Sequence, residues 1–360
     1  MEKIKRALFI GGHLSPALAV IEELKTRPGW EVFWVGRKFA MEGQSILSLE
    51  YEIVPKKGIE FFDLKTGRFQ RRWSGETISS LLRVIPGFFN ALKIVLKIKP
   101  HIVVSFGGYL SVPVVFVSWI LRIPIIVHEQ TTTSGLANRF ASFFAKKIAI
   151  SFQESASDFN RNKIVLTGNP VNRLILSTKN KPTKPPMLYV TGGGQGSRVI
   201  NQAIGELLPE LTKRFSIIHQ TGPLDYQEFR DLEDKFKNYK VYSMINREEV
   251  ARVFEKASFV ISRGGANTIS EIAIIGIPCI LIPIPWSEHN EQEKNSRALE
   301  ATGLAIVINQ KDLSKKILLK TINTTFENLP TGGVREAARL LVNPNASYLI
   351  ADLIEKYALV

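Results

Sequence analysis

Short runs of apolar and β-branched residues alternate along this chain with longer segments whose apolar positions recur at helical spacing. The alternation predicts repeated βα units around a parallel sheet, because strands covered by helices on both faces are apolar throughout. In the first half, strands are predicted at 7–10, 31–35, 102–105, 124–128 and 147–151. In the second half the series begins again, at 187–191, 215–220, 240–243, 259–262, 278–282 and 305–307. Between the two sets lie Thr167-Gly168-Asn169-Pro170-Val171 and the Lys- and Pro-rich stretch 179–186, which read as linker or surface loop. The expected domains are therefore 1–165 and 166–345, with a helix at 346–358 left either to close the second domain or to cross back onto the first. The fold class is α/β, two Rossmann-like sheets facing across a cleft. Ligands of such sheets sit beyond the carboxyl ends of the strands, so functional residues should follow strands.

A length of 360 residues agrees with two domains. The single cysteine, Cys279, has no partner in the chain, and the start MEKIKRALFIGGH is too short an apolar run for a signal peptide, so a reducing cytoplasm is expected. The longest apolar stretch, 112–127, is broken by Pro113, Arg122 and Pro124, so no membrane-spanning helix is expected. Of the net charge of +14, residues 1–165 carry +10 (23 Lys and Arg against 13 Asp and Glu). That excess suits an anionic membrane or a phosphorylated ligand; nucleic acid lacks any accompanying motif.

Leu188-Tyr189-Val190-Thr191 runs into Gly192-Gly193-Gly194-Gln195-Gly196-Ser197 and then a helical pattern over 198–211. Strand, glycine loop and helix come in the order a phosphate site requires, since glycines admit close backbone approach and the helix start supplies N–H groups and a positive dipole end. Four glycines in five positions exceed what a tight turn needs. The spacing is not that of the dinucleotide fingerprint, and the next strand closes on Gln220 instead of an acid, which argues against a nicotinamide cofactor. A second junction runs from Phe259-Val260-Ile261-Ser262 into Arg263-Gly264-Gly265-Ala266-Asn267-Thr268-Ile269-Ser270-Glu271. Glu271, expected in the first helical turn, either accepts hydrogen bonds from ribose hydroxyls or closes a capping box with Thr268. Gln292 and Asn295, after the polar stretch 286–293, can reach sugar hydroxyls or only water.

In the first half, Gly11-Gly12-His13 leads into a helix with Ser15 as expected cap and Pro16 at its first position. His13 can take a proton from an attacking hydroxyl, hold a diphosphate, or serve structure alone. Ser105-Phe106-Gly107-Gly108-Tyr109 and Val127-His128-Glu129-Gln130 end two further strands, and His128 with Glu129 suits either a ligand site or a buried brace. Residues 65–99 hold eight basic residues and one acid, Glu76, among Trp73, Leu81, Leu82, Val84, Ile85, Phe88, Phe89, Leu92, Val95 and Leu96. Positions 88, 92, 95 and 96 share a helical face, with Lys93 and Lys97 on another. This suits insertion of Phe88, Phe89 and Leu92 beside anionic headgroups, or a core-facing helix with a charged edge.

Taken in order, Gly-Gly-His-x-x-Pro at 11–16, Phe-Gly-Gly-Tyr at 106–109, His-Glu-Gln at 128–130, Gly-Asn-Pro-Val at 168–171, Gly-Gly-x-Gln-Gly at 192–196, His-Gln-x-Gly at 219–222 and Ser-Glu at 270–271 resemble the MurG family of lipid II synthases, in glycosyltransferase family 28. The resemblance covers nearly the whole chain. It implies a GT-B fold, with an N-terminal domain that receives lipid I and docks at the cytoplasmic face of the membrane, and a C-terminal domain that binds UDP-GlcNAc. It implies inverting transfer of N-acetylglucosamine to the C4 hydroxyl of lipid I for peptidoglycan synthesis, with no metal or other cofactor and with cell-wall synthesis proteins as partners. By position, Gly193, Gly194, Gln195, Gly196, Gly265, Ala266, Asn267 and Thr268 would surround the diphosphate and uracil, Ile245 would contact uracil, Glu271 ribose, and Gln292 and Asn295 the sugar. His13, Tyr109 and Glu129 match residues of the reaction centre. Gly11, Gly12, Gly107, Gly108, Thr131, Asn172 and Arg173 would lie around the acceptor diphosphate.

The chain departs from the family pattern chiefly on the acceptor side. A GGTGGH loop is reduced to Gly11-Gly12-His13, Thr131 stands for an Asn, Gly194 for a Ser, and Asn172 for an Arg that comes one place later as Arg173. Two alternatives keep the donor site: a transferase acting on another lipid, and a catalytically silent UDP-sugar-binding scaffold of the cell-wall machinery.

Overall fold

The computed structural model describes residues 4–39, 47–66, 76–287 and 290–358, with the backbone alone for 76–85. Two compact units divide the chain: Met1–Asn172 together with Asn345–Val360, and Arg173–Pro344. The first runs Lys5–Ile10 (β1), Leu14–Leu24 (α1), Trp30–Gly36 (β2), Leu49–Ile53 (α2), Glu60–Asp63 (β3), Glu76–Ile98 (α3), Ile102–Ser105 (β4), Ser111–Ile120 (α4), Ile125–Glu129 (β5), Leu136–Phe144 (α5), Lys147–Ile150 (β6) and Ile164–Leu166 (β7). All its pairings are parallel, in the order β3-β2-β1-β4-β5-β6-β7.

The edge strands β3 and β7 were not expected from the sequence. Both are short: β3 exposes Glu60 and Asp63 at its ends, and β7 is an apolar run of only three residues, Ile164–Leu166, too brief to stand out as a strand covered on both faces. Along β1 the side chains alternate between two cores. Ala7 and Phe9 join Trp34, Val104 and α1, whereas Leu8 and Ile10 join Val103, Val127 and the helices α3 and α4.

The second unit continues with Arg173–Ser177 (α6), Met187–Thr191 (β8), Arg198–Leu211 (α7), Ser216–Gln220 (β9), Tyr226–Arg230 (α8), Tyr239–Tyr242 (β10), Arg247–Lys256 (α9), Ala257–Ser262 (β11), Ala266–Ile275 (α10), Cys279–Leu281 (β12), Glu291–Ala301 (α11), Ala305–Val307 (β13), Lys315–Glu327 (α12) and Gly332–Arg339 (α13). Its six strands are parallel, in the order β10-β9-β8-β11-β12-β13. Leu188, Val190, Phe259 and Ile261 pack there against Ile200 and Ile204 of α7 and Leu318 and Ile322 of α12.

The last helix, Ala346–Tyr357 (α14), packs on α1. Ile350, Ala351 and Ile354 complete the core that contains Leu18 and Ile21. Arg27, at the foot of α1, reaches Asp352 at 2.8 Å and Glu355 at 2.6 Å while its guanidinium lies 4.9 Å from the Tyr348 ring centre. Because Ile354 is fully buried, Ile354→Ala should destabilise the first unit by about 2–5 kcal/mol. Urea unfolding followed by probes in each unit should show the loss in the first and not the second; an unchanged first transition would contradict this packing.

Candidate active site

In the second sheet the chain steps from β8 outward through β9 to β10, then returns to β11 beside β8 and steps the other way. The carboxyl ends of β8 and β11 thus stand together where the connections diverge, with Thr191 paired in register to Ser262. Both glycine loops leave from this point. At the first, Ser197 caps α7 through the Ile200 N–H, and Gly193 donates its N–H to Thr191 Oγ at 3.0 Å. Gly196, at φ +78, accepts no side chain, since a Cβ there would strike the Thr221 carbonyl. At the second, Gly265 is the N-cap of α10 and offers no side-chain cap, and the first turn, Ala266–Thr268, holds no acid. Beneath it Arg263, which sequence reasoning passed over, is 7% exposed and donates to the Ile282 carbonyl at 2.8 Å. Burial lowers its pKa to about 10, which leaves it cationic at neutral pH. The helix start and this charge both favour an anion.

Glu271 lies in the second turn of α10, not the first, and the capping box with Thr268 does not form because the helix begins at Ala266, three residues earlier than such a box requires. Its carboxylate instead meets Arg247 at 3.1 Å, at the start of α9. Burial raises its pKa, opposed by the Arg247 charge. The pair brings Glu271 to the segment Ile245–Arg247, and Ile245 itself is buried. Asn295, buried on α11, donates to the Gly264 carbonyl at 3.4 Å, and Gln292 Oε1 accepts the Ile284 N–H at 3.2 Å. Asn295 thus holds the second loop, and Gln292 the segment after β12. Gly194 and Gln195 are exposed, and Asn267 and Thr268 are half-buried.

The first sheet repeats the arrangement. Its connections diverge between β1 and β4, and Ile10 pairs with Ser105. Gly12 presses on the next loop so closely that a Cβ would strike the Gly107 carbonyl, and Gly108 lies against Gly11 and Gly12. Contrary to the sequence expectation, α1 starts at Leu14 with His13 as N-cap, and Ser15 and Pro16 lie within the first turn. Proline fits there because first-turn N–H groups have no helical acceptor. His13 Nδ1 receives the Gln130 amide N–H at 2.8 Å. This places the neutral ring's proton on Nε2. Burial lowers the His13 pKa to about 4. Tyr109 follows the glycine pair, half-buried against the core. Gly11 faces Glu50, a mostly buried carboxylate that accepts the Arg37 N–H at 2.9 Å and whose pKa burial raises.

Four expected site residues lie elsewhere or have other tasks. Glu129 accepts hydrogen bonds from the Thr131 N–H (3.0 Å) and hydroxyl (2.7 Å), Asn138 Nδ2 (2.8 Å) and the Gly135 N–H (3.4 Å), so it braces the loop and does not reach out as a base. Thr131 is turned inward by that bond. Asn172 bonds Glu22, nine residues beyond His13 along α1, or about 13 Å from the glycine loop at 1.5 Å per residue. Arg173 begins α6, in the second unit. Asn138, which sequence reasoning did not single out, supports both the His128 carbonyl (3.1 Å) and Glu129, directly under Gly107.

On α3, Phe88 and Leu92 are half-buried and pack against the core with Val95. Phe89, Lys93, Leu96 and Lys97 are exposed, and Lys97 lies over the Phe62 ring. Trp73 and the side chains of Leu81, Leu82, Val84 and Ile85 lie outside the described residues. An aromatic cluster gathers around Phe116, which touches Phe88, Trp119 and Phe144, and next to it Trp119, Ile120 and Phe143 are exposed at 50%, 57% and 77%. Among the described residues no helix is long and apolar enough to cross a membrane, and no three His, Cys, Asp or Glu side chains are grouped to hold a metal ion.

Two parallel-sheet α/β domains, each with glycine-loop helix starts at its switch point, are the GT-B architecture. The models of the glycosyltransferase family 28 N-terminal and C-terminal domains match residues 10–150 and 187–344, and the chain belongs to that family, in its MurG branch. A Listeria monocytogenes UDP-N-acetylglucosamine–N-acetylmuramyl-(pentapeptide) pyrophosphoryl-undecaprenol N-acetylglucosamine transferase is 32% identical over 96% of each chain. A Clostridium botulinum protein of the same description is 34% identical over 90% of this chain and 92% of its own. The crystal structure of Acinetobacter baumannii MurG, 25% identical, superposes with a TM-score of 0.69 over 98% of this chain and 99% of that one.

His219, fully buried between Tyr239 (2.8 Å) and Asn201 (3.0 Å), has its pKa lowered to about 3 by burial. Between that value and the ordinary 6.5 the unfolded chain binds the extra proton, so this residue costs stability as pH falls. His219→Gln should be less stable than the wild type at pH 7, and the gap should narrow as thermal melts are taken below about pH 6.5. A gap independent of pH would contradict a neutral, buried imidazole.

Proposed function

We propose that this chain transfers N-acetylglucosamine from UDP-GlcNAc to the C4 hydroxyl of lipid I, inverting the anomeric centre, as a peripheral protein of the cytoplasmic membrane face. The observation that carries the reading is the pairing of two glycine-loop helix starts at the β8–β11 switch point, with Arg263 beneath and Glu271 beside them. In this reading the C-terminal domain holds the donor: Glu271 takes the ribose, Ile245 the uracil, and the first turns of α7 and α10 the diphosphate. As the acceptor oxygen attacks the anomeric carbon, the bond to the β-phosphate oxygen breaks and negative charge gathers on UDP. Helix starts and Arg263 would meet that charge without a metal ion. The named reaction of the full-length relatives supports the same donor and acceptor.

The N-terminal domain would present the acceptor, with His13 at the reacting hydroxyl. With its proton on Nε2, His13 donates to an acceptor oxygen. Turning the Gln130 amide places its unpartnered Oε1 on Nδ1–H and frees Nε2 to receive the hydroxyl's proton. The lowered pKa keeps the ring neutral at pH 7, as a base must be. The Glu50 carboxylate beside Gly11 favours a second reading, in which the same transfer goes to a lipid whose charge lies farther from this loop.

Purified protein with radiolabelled UDP-GlcNAc should glycosylate lipid I, insensitive to EDTA, and His13→Ala should lower kcat on the order of 10²-fold with UDP affinity kept. Product on diacylglycerol but not lipid I would select the second reading, and nucleotide binding without transfer to either would sink both. For docking, the exposed Phe89, Leu96, Trp119, Ile120 and Phe143 with Lys93 would lie at the surface of an anionic bilayer. Trp119→Ser with Ile120→Ser should weaken sedimentation with anionic vesicles roughly tenfold or more and leave UDP affinity unchanged; undiminished binding would place the docking face elsewhere.

A further inference from the structure

Gln220 closes β9 and is 5% exposed. Its amide spans two loops. Nε2 donates to the Gly193 carbonyl at 2.9 Å and to Thr191 Oγ at 3.3 Å, while Oε1 accepts the backbone N–H of Ile245 at 3.0 Å. The Gly193 carbonyl also accepts the Gly196 N–H at 3.1 Å, so the amide grips the turn that shapes the first glycine loop. At its other end it grips the segment after β10. The residues that follow support the same loop: a side chain on Gly222 would strike the Gln195 carbonyl, and Asn201 of α7 ties the Thr221 carbonyl at 2.9 Å and Asp225 at 2.8 Å.

We propose that Gln220 is a positioning residue for the donor, setting the diphosphate-facing loop at a fixed height relative to the base-facing Ile245, so that a nucleoside diphosphate engages both at once. The inference rests on the donor site assigned above. The chemistry demands an amide. One branch must donate to a carbonyl and the other must accept from an N–H, and at the buried Ile245 end that N–H has no water to turn to. A carboxylate of the same shape would set an acceptor oxygen against the Gly193 carbonyl, and a thioether would satisfy neither end. Residue 220 touches no part of the ligand in this arrangement; it acts through the two loops.

Gln220→Glu and Gln220→Met separate this role from a merely structural one. Calorimetry with UDP and UMP should show that the wild type prefers UDP, because only UDP spans from base to second phosphate. In both variants that preference should shrink about tenfold, within the usual range of coupling between two parts of a site. The KM for UDP-GlcNAc should rise by a similar factor while kcat at saturation changes little, and Gln220→Asn, too short to reach both loops, should not restore it. Variants that melt within a few degrees of the wild type and keep its UDP preference would overturn the proposal. If either variant fails to fold, Thr191→Val, which removes the hydroxyl shared by Gln220 and Gly193, is read in its place, and an unchanged preference there overturns it equally. Wild-type protein with no UDP affinity would instead sink the donor site itself.

Discussion

A parallel sheet delivers every helix start to one edge, and where successive connections leave in opposite directions two of those starts stand side by side. The rest of this protein depends on that constraint. First-turn N–H groups have no partner within their own helix, and glycine is the residue that lets a ligand approach them without obstruction. Both sheets place glycine pairs at this position: Gly11-Gly12 beside Gly107-Gly108, and the 192–196 loop beside Gly264-Gly265. The surrounding side chains serve mainly to hold those loops still. Gln292, Asn295, Glu129 and Asn138 all bond backbone or one another at the loop bases.

The sequence made the interior strands plain because they are buried on both faces and read as uninterrupted apolar runs; β4 and β8 were placed to the residue. The edge strands of the second sheet were read as well, β13 to the residue, whereas β3 and β7 of the first escaped, β3 for its charged ends and β7 for its three-residue length. The glycine junctions were equally legible, since a strand, glycines and a helical period leave few alternatives. Helix starts were harder to read. Ser15 and Thr268 both have the chemistry of caps, yet neither is the N-cap, because α1 and α10 begin earlier, at Leu14 and Ala266. Nor could residue type tell outward-facing carboxylates from inward ones. Glu129 and Glu271 follow strands alike, and only the fold sets four donors around one and a single arginine beside the other.

The same limit applies to the amphipathic α3. Periodicity identified a greasy face, and the core claimed it through Phe88, Leu92 and Val95. The apolar surface that remains exposed comes from α4 and α5 as well, around residues 119, 120 and 143. No single helical period reveals a patch assembled from three helices, since each contributes one or two residues that look unremarkable in their own segment.

The path of the chain between its two units has a consequence for biosynthesis. The polypeptide leaves the first unit at Asn172 and re-enters it only at Asn345, so the entire second unit is an insertion between the seventh strand and the helix that seals α1. During translation the apolar groove on α1 must wait, uncovered, while more than 170 further residues emerge. The second unit, contiguous in sequence, is free to reach its final form first. Maturation of the first unit is thereby delayed until the second has been made, and the salt links from Arg27 to Asp352 and Glu355 are among the last contacts to close.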